Sequence, residues 1–184
     1  FAVLMNPYTG EVLAMAGKQL TENQETGRFD VHDFALGNII TSYNAGSVIK
    51  GATVLTGYQL GAIRPGTSFY DEPLKIKDTR EKGSWKDFGT VDDIRALRVS
   101  SNVYMFKTAI KIGGGQYRYN QPLVLKKETF DIMRESFGQF GLGVPTGIDL
   151  PNEATGYKGA LEDPGLLLDL SIGQYDTYTP MQLA

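Results

Sequence analysis

The chain has 184 residues, a formal net charge of -3, no cysteine and one histidine, His32. That length suits about one domain with a core that needs no covalent staples, and without cysteine there are no disulfides, thiol nucleophiles or cysteine-bound metals. The mild acidity, with 18 Lys+Arg scattered along the chain, argues against a nucleic-acid partner, and no apolar run approaches the ~20 residues of a membrane span.

In chain order, Phe1–Met5 and Val12–Ala16 are apolar runs flanking Asn6-Pro7-Tyr8-Thr9-Gly10, which predicts a β-hairpin over residues 1–17. Residues 18–46 are polar and read as irregular. Over 48–60, Val48, Ala52 and Leu55 recur at helical spacing beside Ile49 and Thr56, which predicts a buried helix. Residues 61–89 carry Pro65, Gly66, Pro73, Gly83 and Gly89 and read as loop. Thr90-Val91-Asp92-Asp93 has capping-box character and predicts a helix through about Leu97. A second helix is expected from Asn102 to Ile112, with Val103, Phe106 and Ile110 as its apolar stripe, stopped by Gly113-Gly114-Gly115. Phe130, Met133 and Phe137 predict another helix over 126–140. Gly141–Gly159 reads as loop, and 166–172 is strongly apolar around Asp169. Pro180–Ala184 reads as the start of a helix, and both ends read as cut, so a piece of a longer protein is expected. Strands in front of a mostly helical body argue for an α+β fold whose sheet is incomplete in this piece.

Two short motifs carry chemistry. In Ser47-Val48-Ile49-Lys50 the two polar residues share a helix face. A lysine amine placed there is a candidate base for the serine, which is a weak nucleophile until a neighbour takes its proton. Burial favours the neutral amine that this task needs, and Ser47 follows Gly46 at an expected helix N-terminus, where N–H groups stabilise an anion. The plainer alternative makes Ser47 an N-cap and Lys50 a solvated first-turn residue. In Ser100-Ser101-Asn102, a hydroxyl and an amide two residues apart can converge on one pocket from a tight turn. Its plainer alternative is a helix-joining turn. Ser42-Tyr43-Asn44 has the same spacing and reads as loop.

Ser-x-x-Lys followed by Ser-x-Asn belongs to the signature of penicillin-binding proteins and class A β-lactamases, whose third element is Lys-Thr-Gly. No Lys-Thr-Gly or Lys-Ser-Gly occurs in this chain. Wider matches make the resemblance specific. Asn6-Pro7-Tyr8-Thr9-Gly10-Glu11, Ala45-Gly46-Ser47-Val48-Ile49-Lys50, Arg98-Val99-Ser100-Ser101-Asn102-Val103, Phe140-Gly141-Leu142-Gly143, Thr146-Gly147-Ile148-Asp149-Leu150-Pro151, Ser171-Ile172-Gly173-Gln174 and Thr179–Ala184 all resemble the transpeptidase domain of a class B penicillin-binding protein, in family order. Ala45 stands where the family commonly has Pro, and Tyr175 where it often has Gly.

The resemblance implies the β-lactamase-like transpeptidase fold, with residues 1–184 a partial domain of N-terminal strands and a helical subdomain, and with the later sheet strands and Lys-Thr-Gly beyond Ala184. It implies a D,D-transpeptidase that cross-links peptidoglycan stem peptides and is inhibited by β-lactams. Ser47 would be the acylated nucleophile and Lys50 its general base. Ser100 would relay a proton towards the leaving amine, and Asn102 would orient Lys50 and contact the donor peptide. Ser101, the variable middle position, carries no implied role. No metal and no cofactor are implied. The implied partners are D-alanyl-D-alanine donor and amine acceptor peptides and the cell-wall synthesis machinery. The implied location is the extracytoplasmic face of the bacterial membrane, reached through an anchor upstream. Two alternatives stay open: a serine β-lactamase or D,D-carboxypeptidase, and a non-catalytic or sensor penicillin-binding domain.

Other features have plainer readings. His32 is read as a loop residue, and Gly113-Gly114-Gly115 lacks the Lys-Ser/Thr that a phosphate loop requires. Glu135, Asp149 and Glu153 read as surface charge, and Trp85 as a packing residue or one wall of a substrate groove.

Overall fold

The computed structural model describes residues 1–184 and divides into two compact units, each assembled from separate stretches of the chain. The first comprises Phe1–Tyr43, Gly141–Tyr157 and Thr177–Ala184; the second comprises Asn44–Phe140 and Lys158–Asp176.

In the first unit, β1 (Ala2–Met5) pairs antiparallel with β2 (Val12–Ala16), as the turn chemistry between them predicts. The stretch read as irregular holds a second hairpin, β3 (Lys18–Glu22) with β4 (Phe29–Asp33), followed by a short helix α1 (Gly37–Ile40). This hairpin escaped the sequence reading because its alternation is short: Leu20, Phe29 and Val31 are its only apolar residues, set among polar neighbours, and all three are exposed. His32 lies on β4, paired across the ladder with Gln19. The unit also contains α7 (Pro180–Leu183), begun by a full capping box between Thr179 and Gln182. Pro180 occupies its first turn, where a missing N–H costs nothing.

The second unit is built on α4 (Asn102–Ile112), which packs against α2 (Lys50–Gln59) and α6 (Pro164–Leu170). The unit also holds β6 (Ser68–Tyr70), β7 (Thr90–Asp92), α3 (Asp93–Val99) and α5 (Thr129–Gly138). The β5 (Tyr43–Asn44) and β8 (Thr177–Tyr178) segments are two residues each. One core cluster joins Leu74, Ile76, Val103, Phe106, Ile110, Leu123 and Leu168; another joins Val54, Ile63, Val91, Ala96, Tyr104 and Met105, and Ile172 packs on both.

Two sequence expectations are corrected in this unit, and one apolar run is assigned. The buried side of α2 is Lys50, Thr53, Val54, Thr56 and Gly57, preceded by buried Ile49, whereas Val48 and Leu55 face outward. The expected stripe missed because the buried face includes a lysine and two threonines. Thr90–Asp92 is a strand, paired with Ser68–Tyr70 inside the stretch read as loop, so the helix begins two residues later, where the Asp92 carboxylate accepts the Arg95 amide at 2.7 Å. Finally, the apolar run around Asp169 is a helix opened by Pro164, with Leu167, Leu168 and Leu170 inward and Asp169 held by Lys82 at 2.6 Å.

Candidate active site

Ser47 sits in a 3₁₀ turn, Gly46–Ile49, that runs straight into α2. Its place is set by a backbone contact: the Gly46 amide donates to the Gly173 carbonyl at 2.9 Å. Gly173 has φ +73°, and a Cβ there would lie 2.4 Å from the Gly46 oxygen, so only glycine fits. This turn leaves Ser47 exposed and turns Lys50, three residues on, into the interior at 2% exposure.

The second motif lies where α3 gives way to α4. Ser100 takes the left-handed conformation, φ 56° and ψ 45°, which reverses the chain within a single residue. Ser101 then caps α4, its hydroxyl accepting the Tyr104 amide at 3.0 Å. This turn aims Ser100 and Asn102 at the lysine.

The Lys50 ammonium donates to the Ser100 carbonyl at 2.8 Å, to Ser100 Oγ at 2.9 Å and to Asn102 Oδ1 at 2.6 Å. Those three bonds use every N–H of a lysine. The link to Ser47 passes through Ser100, whose Oγ donates to Ser47 Oγ at 2.9 Å. The four residues singled out from sequence are therefore brought together as a continuous chain, Asn102–Lys50–Ser100–Ser47. The sequence expectation of a direct lysine–serine contact gives way to a contact bridged by Ser100. Burial pushes the Lys50 pKa down to about 8, against the opposing pull of the Asp71 charge.

Sequence reasoning missed the layer behind these residues. Ser84 Oγ accepts the Asn102 amide at 2.9 Å and donates to Asp71 Oδ2 at 2.9 Å. Asn102 Nδ2 donates to the Gly83 carbonyl at 3.1 Å. Ser101, given no role from sequence, donates to Asp71 Oδ2 at 2.5 Å. Asp71 and Ser84 lie in a stretch that reads as loop and carry no signal.

The remaining candidates stand apart. Trp85 is 73% exposed, donates its indole N–H to the Val99 carbonyl at 3.3 Å and meets Phe88 edge-on. Glu153 accepts the Thr146 and Gly147 amides and so organises its own loop. Glu135 and Asp149 are exposed. No cluster of metal-ligating side chains is present.

The sequence matches the family described as penicillin binding protein transpeptidase domain over residues 1–184. The chain belongs to that family. It is 57% identical over 185 residues to penicillin-binding protein 2A of Bacillus subtilis (strain 168), covering all of this chain and 26% of that protein. The fold is the penicillin-binding transpeptidase fold: it superposes with a TM-score of 0.88 on penicillin-binding protein 2B of Streptococcus pneumoniae (strain 5204), 34% identical, over 99% of this chain and 30% of that one. A more distant relative, 27% identical over 192 residues, is the peptidoglycan D,D-transpeptidase FtsI of Buchnera aphidicola, of which the match covers 30%. The chain thus spans about a quarter of the length of the curated relatives it matches. Within the transpeptidase family, the class B resemblance read from Ser47-Val48-Ile49-Lys50 and Ser100-Ser101-Asn102 is upheld.

Proposed function

We propose that residues 1–184 form part of a D,D-transpeptidase domain that cross-links peptidoglycan stem peptides through an acyl-enzyme on Ser47. The observation that carries this reading is the hydrogen-bonded chain from exposed Ser47 through Ser100 to buried Lys50. A lysine with a pKa near 8 is neutral in roughly one molecule in ten at pH 7, enough to supply a base within a prearranged site. When Lys50 is neutral, its lone pair accepts the Ser100 hydroxyl proton while Ser100 accepts that of Ser47. Ser47 Oγ then bonds to the carbonyl carbon of a D-alanyl-D-alanine donor. The peptide C–N bond breaks, and the proton returns through Ser100 to the departing D-alanine amine. An amine on a neighbouring stem peptide takes the acyl group in the second half-reaction.

Asn102 has its Oδ1 on Lys50, which suits an orienting role for that lysine. The Ser47 amide is the expected first oxyanion donor, and the family's Lys-Thr-Gly strand the expected second. β-Lactams mimic the donor and leave a slow adduct on Ser47. The same reading places the whole protein at the outer face of the bacterial membrane, among the cell-wall synthesis machinery.

The test is labelling of the full-length protein with a fluorescent penicillin. Wild type is expected to form a stable adduct, and Ser47→Ala none. Equal labelling of Ser47→Ala, or an unlabelled wild type, removes the proposal. Rapid release of the label points to a hydrolase instead.

A further inference from the structure

Asp71 is a carboxylate at 2% exposure that forms no ion pair. A charge taken out of water this far is retained only where hydrogen bonds replace its solvent. Its replacements are two hydroxyls, Ser84 at 2.9 Å and Ser101 at 2.5 Å, both on Oδ2. Each hydroxyl accepts as well as donates. Ser101 also accepts the Tyr104 amide, and Ser84 accepts the amides of Asn102 at 2.9 Å and Val103 at 3.3 Å. The first turn of α4 is thus tied at three amides to hydroxyls that Asp71 orients.

Asn102 is the residue this arrangement holds. Its Nδ2 faces the Gly83 carbonyl, which can only accept, so its Oδ1 must face Lys50. Gly83 and Ser84 are themselves anchored by neighbours. Lys82 pairs through its backbone with Leu74 and through its ammonium with Asp169. The Asp71 amide donates to the Gly89 carbonyl at 2.9 Å.

We infer that Asp71 is a positioning residue for the serine chemistry: acting through the Ser84 and Ser101 hydroxyls, its buried carboxylate holds Asn102 against the Lys50 amine. The inference rests on the acyl-transfer reading above. Asp71 is also the charge whose field acts on Lys50, and it acts to keep the lysine protonated. The other charges near this segment are engaged elsewhere: Lys107 with Glu72 and the Tyr70 carbonyl, and Lys82 with Asp169.

The experiment compares full-length wild type with Asp71→Asn, Asp71→Ala and Ser84→Ala, measuring acylation by penicillin at saturating and at low concentration across pH. A misplacement of about 1 Å at a catalytic group costs on the order of 10²-fold in rate. Asp71→Ala should lose that much at saturation with the half-saturating concentration little changed. Asp71→Asn keeps an acceptor but loses the charge, so the rise of its rate with pH should move to lower pH. Loss of folded protein alone would lower the amplitude and leave that midpoint in place. Ser84→Ala, with the carboxylate intact, should lose several-fold at saturation and covers the case in which the Asp71 variants do not fold. A folded Asp71→Asn with wild-type rate and midpoint, or a Ser84→Ala that acylates like wild type, overturns the inference. If wild type is not acylated at all, the transpeptidase reading fails by itself. The Lys50 titration, followed by nitrogen NMR of labelled lysine side chains, then decides the role of Asp71: a midpoint lower in Asp71→Asn supports it, and an unmoved one ends it.

Discussion

At the scale of single residues, the feature that sets this site apart is a lysine on the buried side of a helix. Lys50 keeps three acceptors and is 2% exposed, yet the cost of desolvating its charge outweighs the help of Asp71 and lowers its pKa to about 8. The consequence for stability has a definite sign. In the unfolded chain a lysine keeps its proton to about pH 10.4; in the folded protein Lys50 gives it up near 8. Between these values the unfolded state binds more protons, so stability rises with pH through that window, and below it folding bears the full cost of burying the charge. Measured by urea unfolding from pH 7.5 to 10.5, wild type should gain on the order of 3 kcal/mol relative to Lys50→Met. A flat or falling difference would show that Lys50 is not depressed. The same burial favours the neutral amine that the proposed base role requires, so the energetic cost and the proposed chemistry have one cause.

At the scale of elements, helix contacts carry the site. The α2 helix brings Lys50 and α4 brings Asn102, and the two pack closely at Gly57. A Cβ at Gly57 would lie 2.8 Å from both Ile63 Cγ1 and Thr108 Cγ2. Thr108 cannot swing aside freely, because it is fully buried and its hydroxyl is held by the Tyr104 carbonyl at 2.9 Å. Helix propensity alone favours alanine over glycine by about 1 kcal/mol, whereas overpacking a core costs about 1–3 kcal/mol. Gly57→Ala is therefore expected to lower the thermal midpoint and, on the proposed reaction, to slow acylation of Ser47 as α2 shifts. A raised midpoint would mean that the helices can separate without loss.

At the scale of the whole molecule, each unit is closed by contacts between segments far apart in sequence. In the second unit Arg134 on α5 grips Asp176 with Nε at 2.8 Å and Nη2 at 2.9 Å, and Nη2 also donates to the Gly159 carbonyl. Asp176 is 2% exposed, so the pair ties the returning 158–176 stretch to the helical body. Removing one partner of a buried pair leaves the other charge uncompensated, which costs about 3–5 kcal/mol. Arg134→Ala should lose about that much, read as a drop in urea midpoint. A double variant, Arg134→Met with Asp176→Leu, should recover part of it, because no orphan charge remains. Equal loss in single and double variants would place the cost in packing instead of charge.

Much of this protein is legible in its linear sequence, for reasons that are local. The β1–β2 hairpin follows from turn residues between apolar runs, α4 and α5 from apolar spacing, and α7 from the Pro180–Ala184 stretch that reads as a helix start, since each depends on neighbours a few residues away. The motifs Ser47-Val48-Ile49-Lys50 and Ser100-Ser101-Asn102 and the family they imply are equally visible. What the chain order hides is decided by contacts across long separations. The buried side of α2 depends on what α4 and α5 press against, and β6 depends on a partner some twenty residues later. The bridging place of Ser100 between Lys50 and Ser47 requires a left-handed turn and a lysine tucked inward from another helix. Asp71 and Ser84 become part of the site only because the loop that carries them folds back on the first turn of α4. Local patterns depend on nearest-neighbour sterics and hydrogen bonds; the geometry that joins Ser47, Ser100 and Lys50 depends on burial, which exists only once the chain has closed.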